Sequence, residues 1–171
     1  MVARLFFVAL TLMSWTTSGW AVEAGDEAPA WIGRDVNGEV IAFPELTAGK
    51  PAVLVFWATW CPYCKAFMPY LETIHRDYEE DGVQIVTINA LERGRGDPTA
   101  YLRELDAPLI GIIYGDRIAA DYGVEFIPGL MVVDGDGMVS YRRAPTELPA
   151  GQTLSEIWDA EIRAALDDAL R

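Results

Sequence analysis

Both cysteines of this 171-residue chain stand in one tetrapeptide, Cys61-Pro62-Tyr63-Cys64. Two thiols three residues apart can close a disulfide between themselves and reopen it, which is redox chemistry. A structural zinc site needs about four ligands, and among histidines only His75 is present to join the cysteines. Covalent haem attachment requires Cys-x-x-Cys-His, whereas Lys65 follows Cys64. A purely structural disulfide gains most from closing a long loop, and two intervening residues constrain little. The pair therefore reads as a redox-active disulfide, with no metal and no other cofactor expected.

The attacking species in disulfide exchange is a thiolate, yet a free cysteine is mostly protonated at neutral pH, so the surrounding elements must stabilise the anion. Directly before the motif, Ala52 to Trp57 is continuously apolar, the pattern of a strand buried on both faces of a parallel sheet. After it, Pro62 to Glu80 carries Phe67, Leu71, Ile74 and Tyr78 at helical spacing, with Pro69 expected to kink the helix. Cys61 thus falls where a strand gives way to a helix. The unpaired N–H groups and dipole there favour a negative sulfur by about 0.5–2 kcal/mol. Pro62 at the first helical position fits without cost. Cys64, one turn further in, is expected to be more buried and to act as the resolving thiol. Trp60 and Tyr63 are expected around the sulfur, as surface aromatics or as rim packing, and Lys65 as a nearby positive charge or a solvated side chain.

The remaining elements form a frame for this junction. Trp31 to Val36 and Glu39 to Phe43 flank Asn37-Gly38, a pair that favours a type I′ hairpin. Val83 to Asn89 reads as a second buried strand. The loop Glu92 to Asp97, with two glycines, reads as solvated or as a partner contact, and leads into a helix over Pro98 to Leu105. A strand over Leu109 to Tyr114 precedes a helix from Asp116 to Tyr122 closed by Gly123. Leu130 to Val133 and Met138 to Arg142 are short strands around Asp134-Gly135-Asp136-Gly137, a turn rather than a calcium loop, because the further acidic ligands are missing. Thr153 and Glu156 form a capping box for a last helix lined by Leu154, Trp158, Ile162, Ala165 and Ala169. The order βα, βα, ββα predicts an α/β fold with a mixed central sheet flanked by helices.

Length allows one domain, and no internal repeat suggests a second. Residues 1–21 differ from the rest: Arg4 is the sole charge, Leu5 to Met13 is apolar apart from Thr11, and Ser18, Gly19 and Ala21 are small. This pattern predicts a secretory signal cleaved after Ala21, since the apolar stretch falls short of the roughly 18 residues of a spanning helix. The alternative is an uncleaved anchor that tethers the domain to the outer face of a membrane through residues 5–20, with Trp15 and Trp20 at the interface. Either way residues 22–171 form the domain, in the periplasm or another extracytoplasmic space, where disulfides persist. The net charge of −13 disfavours nucleic acid and anionic lipid as partners. It serves solubility, or offers an acidic docking face.

The segment Phe56-Trp57-Ala58-Thr59-Trp60-Cys61-Pro62-Tyr63-Cys64-Lys65 resembles the active-site segment of thioredoxin-like proteins, with Pro69 at that family's helix-kinking position. Tyr122-Gly123-Val124-Glu125-Phe126-Ile127-Pro128, then Met131 to Asp134 and Gly137, is similar to the family's cis-proline region and following hairpin. The longer spacing from Cys61 to Pro128, the leading hairpin and the export signal resemble the extracytoplasmic TlpA, ResA and CcmG branch. The resemblance implies a thioredoxin fold with an N-terminal β-hairpin and a βα insertion around Pro98 to Tyr114. It also implies that Pro128 lies against the sulfurs and that the backbone of Ile127 binds an extended substrate chain by β-addition.

The expected activity is thiol-disulfide exchange with protein disulfides or dithiols, by a monomer, with a membrane protein as electron donor or acceptor. The reducing direction is the simplest reading; oxidant or isomerase activity is the alternative. Three departures from the resembled families bear on direction and partner: Val55 replaces thioredoxin's buried aspartate, Phe67 replaces the ResA-type glutamate, and Gly129 replaces the CcmG-type glutamate after the proline. Without an acid, burial should raise the Cys64 pKa. A thiol peroxidase would need a threonine where Ala58 stands, and a non-catalytic binding domain would not need the intact pair.

Overall fold

The computed structural model describes residues 21–94, 96–105 and 108–171, so the expected signal or anchor lies outside the described residues apart from Ala21. In chain order the elements are β1 (Trp31–Asp35), β2 (Val40–Phe43), a 3-10 turn (Glu45–Thr47), β3 (Ala52–Trp57), α1 (Pro62–Tyr78), β4 (Gln84–Asn89), α2 (Pro98–Glu104), β5 (Ile110–Ile113), α3 (Asp116–Asp121), β6 (Gly129–Val133), β7 (Val139–Arg142) and α4 (Leu154–Ala169). They build one seven-stranded sheet in the order β2-β1-β5-β4-β3-β6-β7. Strands β3, β4 and β5 run parallel, joined by helical crossovers, and β6 returns antiparallel on the other side of β3. The sheet is mixed, as the element order predicts. Among the described residues no helix is long and apolar enough to cross a membrane.

Every residue of β3 is buried, because its two rows of side chains serve two cores. Val53, Val55 and Trp57 face α1 and α4 with Leu130 and Val132 of β6. Ala52, Leu54 and Phe56 face α3, with Val86, Ile88, Tyr122 and Met131. Tyr101 and Leu102 of α2 pack against the first of these cores. The last helix has the expected capping box, with Thr153 as its N-cap. Its buried stripe is Trp158, Ile162 and Leu166, so Leu166 joins the residues expected there.

The N-terminal hairpin extends the main sheet, because β1 pairs antiparallel with β5. One detail differs from the sequence reading: the turn of this hairpin is not type I′. The Gly38 N–H donates to the Asp35 carbonyl, the Asp35 N–H to the Glu39 carbonyl, and Gly38 has φ 83°. That is a three-residue loop closed by one left-handed glycine. The Asp35 carboxylate fixes it, accepting the N–H groups of Asn37 and Glu39, each at 2.8 Å.

Candidate active site

Cys61 is the N-cap of α1, with extended backbone angles, and Pro62 opens the helix. Cys61 and Cys64 are joined as a disulfide, with Cα atoms 5.3 Å apart. The Cys61 Sγ accepts a hydrogen bond from the Cys64 N–H at 3.1 Å, so one orphan donor of the helix end points at sulfur. No acidic residue occupies the first turn, which leaves the positive end of the dipole unopposed. The expected contrast in exposure is absent in this oxidised form: Cys61 is 2 % and Cys64 1 % exposed. Cys61 lies in the same apolar cluster as its partner, among Val55, Phe67, Leu130 and Trp158. Val55 and Phe67 are themselves buried there, so neither position offers a proton acceptor.

The residues before Cys61 are held from the loop after β4. Glu92 accepts the Thr59 N–H at 2.6 Å, the Thr59 hydroxyl at 2.7 Å and the Asn89 Nδ2 at 2.7 Å. Burial alone would raise its pKa; the hydrogen bonds from Thr59, Asn89 and the Arg93 backbone outweigh that and hold it below the ordinary carboxylate value. The Trp60 indole donates to the Leu91 carbonyl at 2.8 Å and the Arg93 guanidinium lies 3.6 Å from its ring centre. Trp60, 37 % exposed, is thus turned toward the β4 loop. Tyr63 stands outward at 58 % exposure. Lys65 sits 5.3 Å from the Tyr101 ring centre. Thr59, Trp60, Lys65, Glu92, Arg93 and Tyr101 line a cleft of about 780 Å³.

Opposite this loop, the Ile127–Pro128 peptide bond is cis. Pro128 is buried, and half-buried Ile127 packs against the cluster that contains both sulfurs. The Ile127 N–H and C=O take no part in the turn and loop hydrogen bonds among the described residues. Arg143, just past β7, donates from Nε to the Pro128 carbonyl at 2.8 Å. Its guanidinium lies 4.7 Å from the Phe126 ring and 4.9 Å from the Trp158 ring, and burial lowers its pKa. Trp158 in turn meets Phe67 edge-on, with ring centres 5.8 Å apart.

The structure therefore gathers Cys61, Cys64 and Ile127 at one end of the sheet, with Trp60 beside them. Two residues of this end were not singled out for it from sequence. From sequence Glu92 belongs to a loop that reads as solvated or as a partner contact, whereas its carboxylate is committed to Thr59. Arg143 carries no local signal at all, since its partners arrive from the segment before β6 and from α4.

The profile of the AhpC/TSA family matches residues 24–142. The thiol-disulfide oxidoreductase ResA of Bacillus thuringiensis subsp. konkukian is 33 % identical over 119 residues, 69 % of this chain and 68 % of that protein. The thiol:disulfide interchange protein DsbE of Escherichia coli K12 is 32 % identical over 131 residues, 75 % of this chain and 65 % of that protein. A solved structure described as a DsbE thiol:disulfide interchange protein, from Chlorobium tepidum, superposes with a TM-score of 0.70 at 27 % identity, covering 85 % of this chain and 99 % of that one. The fold is thus the thioredoxin fold that the active-site segment implies.

Proposed function

The chain belongs to the AhpC/TSA family and is a thiol-disulfide oxidoreductase of the ResA and DsbE type, and we propose that it works outside the cytosol as a reductant of protein disulfides. The observation that carries this reading is the disulfide at the start of α1, with the Cys61 sulfur on the Cys64 N–H. In the reduced protein that N–H and the helix dipole stabilise a Cys61 thiolate. The thiolate attacks one sulfur of a partner disulfide; the partner S–S bond breaks and the other partner sulfur leaves as a thiolate. Cys64 then loses its proton and attacks the Cys61 sulfur. The mixed disulfide breaks, the partner departs with both sulfurs reduced, and two electrons have passed from the Cys61–Cys64 pair. A dithiol of a membrane protein would restore the pair by the same steps in reverse. The dithiol is the whole redox apparatus of this cycle, with no metal or further cofactor.

The backbone of Ile127, beside cis Pro128, supports recognition of an extended partner strand by β-addition. A leader removed after Ala21, or an anchor over residues 5–20, would deliver a monomeric domain of residues 22–171 to its compartment. Ala58, buried and lacking a hydroxyl before Cys61, weighs against peroxide chemistry.

One observation favours a second direction. Val55 and Phe67 leave Cys64 without an acid to take its proton, which handicaps resolution in the reducing cycle and suits an oxidant. The two directions differ by about 150 mV in potential, a difference that equilibration with a glutathione buffer reads directly. The exchange role on which both directions rest is tested by expressing a Cys64→Ala variant in the native compartment and identifying the proteins left disulfide-linked to Cys61. Discrete linked partners are expected; a background identical to that of Cys61→Ala, Cys64→Ala would overturn the exchange role.

A further inference from the structure

We infer that Glu92 is a positioning residue of the redox centre: its carboxylate clamps Thr59 and thereby fixes Cys61 on the N-terminus of α1. The inference rests on the attacking role proposed for Cys61. One residue, Trp60, separates the clamp point from the sulfur-bearing position, and the turn that spans them is closed by the Cys61 N–H donating to the Ala58 carbonyl at 3.1 Å. Both Glu92 oxygens are used on Thr59, one for its N–H and one for its hydroxyl. A solvated glutamate would have no reason to hold that geometry across a sequence separation of 33 residues.

The loop that presents Glu92 is itself in an unfavourable conformation held from outside. Leu91 has φ 58°, a region that a residue with a branched side chain rarely occupies. Its N–H donates to the Asp116 carboxylate at the start of α3 at 2.9 Å, and its carbonyl accepts the Trp60 indole. On the other side of Thr59 lies Gly96, where a Cβ would collide with the Thr59 side chain. Residues 59 and 60 are therefore gripped through Glu92, Leu91 and Gly96 of one loop. Asn89, at the end of β4, joins that loop to the sheet: its Nδ2 reaches both Glu92 and, at 3.4 Å, the Trp57 carbonyl.

A carboxylate near a thiolate also opposes it by charge. Here the Thr59 N–H and hydroxyl, the Asn89 Nδ2 and the Arg93 backbone N–H converge on the carboxylate and weaken its field, and we take the geometric effect as the larger. Without the clamp the turn over residues 58–61 loosens, the Cys61 sulfur drifts from the Cys64 N–H, and the thiolate loses stabilisation.

The test is the alkylation rate of Cys61 against pH, in a Cys64→Ala background, with melting temperature measured in parallel. Glu92→Ala is expected to raise the Cys61 pKa by about one unit and so slow alkylation near neutrality about tenfold. Glu92→Gln, which keeps an acceptor for the Thr59 N–H, should recover most of the rate, and Gly96→Ala should mimic Glu92→Ala by displacing Thr59. If Glu92→Ala does not fold, Thr59→Val, which keeps the N–H and loses the hydroxyl arm, carries the same comparison with a smaller slowing. A pH–rate curve superposable on the parent's, with a lowered melting temperature alone, would reduce Glu92 to a structural residue and overturn the inference. Faster alkylation in Glu92→Ala would overturn it too, since charge would then outweigh position. Inert Cys61 in the parent would instead overturn the attacking role, and the inference with it.

Discussion

The sulfur of Cys61 accepts a hydrogen bond from the backbone N–H of Cys64 at 3.1 Å, so the two cysteines are related as cap and capped as well as by their covalent bond. When the disulfide opens, that N–H remains part of the helix end and remains available to an anion. Among the described residues no such donor meets the Cys64 sulfur, which lies in an apolar cluster.

The reduced pair should accordingly titrate far apart. Single-cysteine variants, alkylated across pH, are expected to show Cys61 below the ordinary cysteine pKa and Cys64 above it. Equal values for the two would remove the asymmetry on which the attack and resolution roles depend.

Arg143 holds the carbonyl of Pro128, on the side proposed to bind a partner strand. Arg143→Met keeps an apolar stem between Phe126 and Trp158 but leaves the Pro128 carbonyl without its donor, at a cost of about 1–3 kcal/mol. The kcat/KM for a disulfide-bonded protein should fall about tenfold, which is 1.4 kcal/mol, while alkylation of Cys61 is unchanged. A loss of Cys61 reactivity in step with turnover would place Arg143 in the redox centre instead.

Val55 points into the cluster that holds Cys64. Val55→Asp should supply the missing proton acceptor and shorten the lifetime of the mixed disulfide by about 100-fold. The new polar group is buried, and the melt should report a loss of about 1–3 kcal/mol. A mixed disulfide of unchanged lifetime would mean that proton removal from Cys64 is not what limits resolution.

The Thr59–Glu92 clamp should give stability a defined pH dependence. The folded-state pKa of Glu92 is lowered by its hydrogen bonds, so the unfolded chain binds the proton more readily. The contribution is therefore complete above the ordinary carboxylate range and fades as pH falls through that range to the folded value. Parent and Glu92→Gln should differ most in melting temperature near neutrality and converge in acid. A gap that widens on acidification would contradict the sign of the shift.

What could be read from sequence was local. The strand before the motif, the helix after it, the Thr153 capping box and the left-handed Gly123 each follow from residues within a turn or two of one another. The pairing of β1 with β5 was not legible, because the register of Arg34 against Ile113 depends on crossovers that no short window contains. Glu92 looked like a solvated charge among glycines because its donors are on Thr59 and Asn89. Arg143 has no reading from sequence, since neither Trp158 nor Pro128 is near it in the chain. In each case an ordinary polar residue acquires its role from elements that the sheet order, and no motif, brings beside it.

Phe67 lies one helical turn past Cys64 and stands edge-on to Trp158, the ring that seats Arg143 against Pro128. Position 67 therefore has two incompatible uses in this architecture. A carboxylate there would serve the proton of the resolving thiol; an aromatic ring braces, through two intermediaries, the loop that would receive a partner strand. This chain has the brace. A variant that regained acid chemistry at that position would have to find a new seat for Arg143 in the same step, so proton handling and partner grip are not independently adjustable traits here.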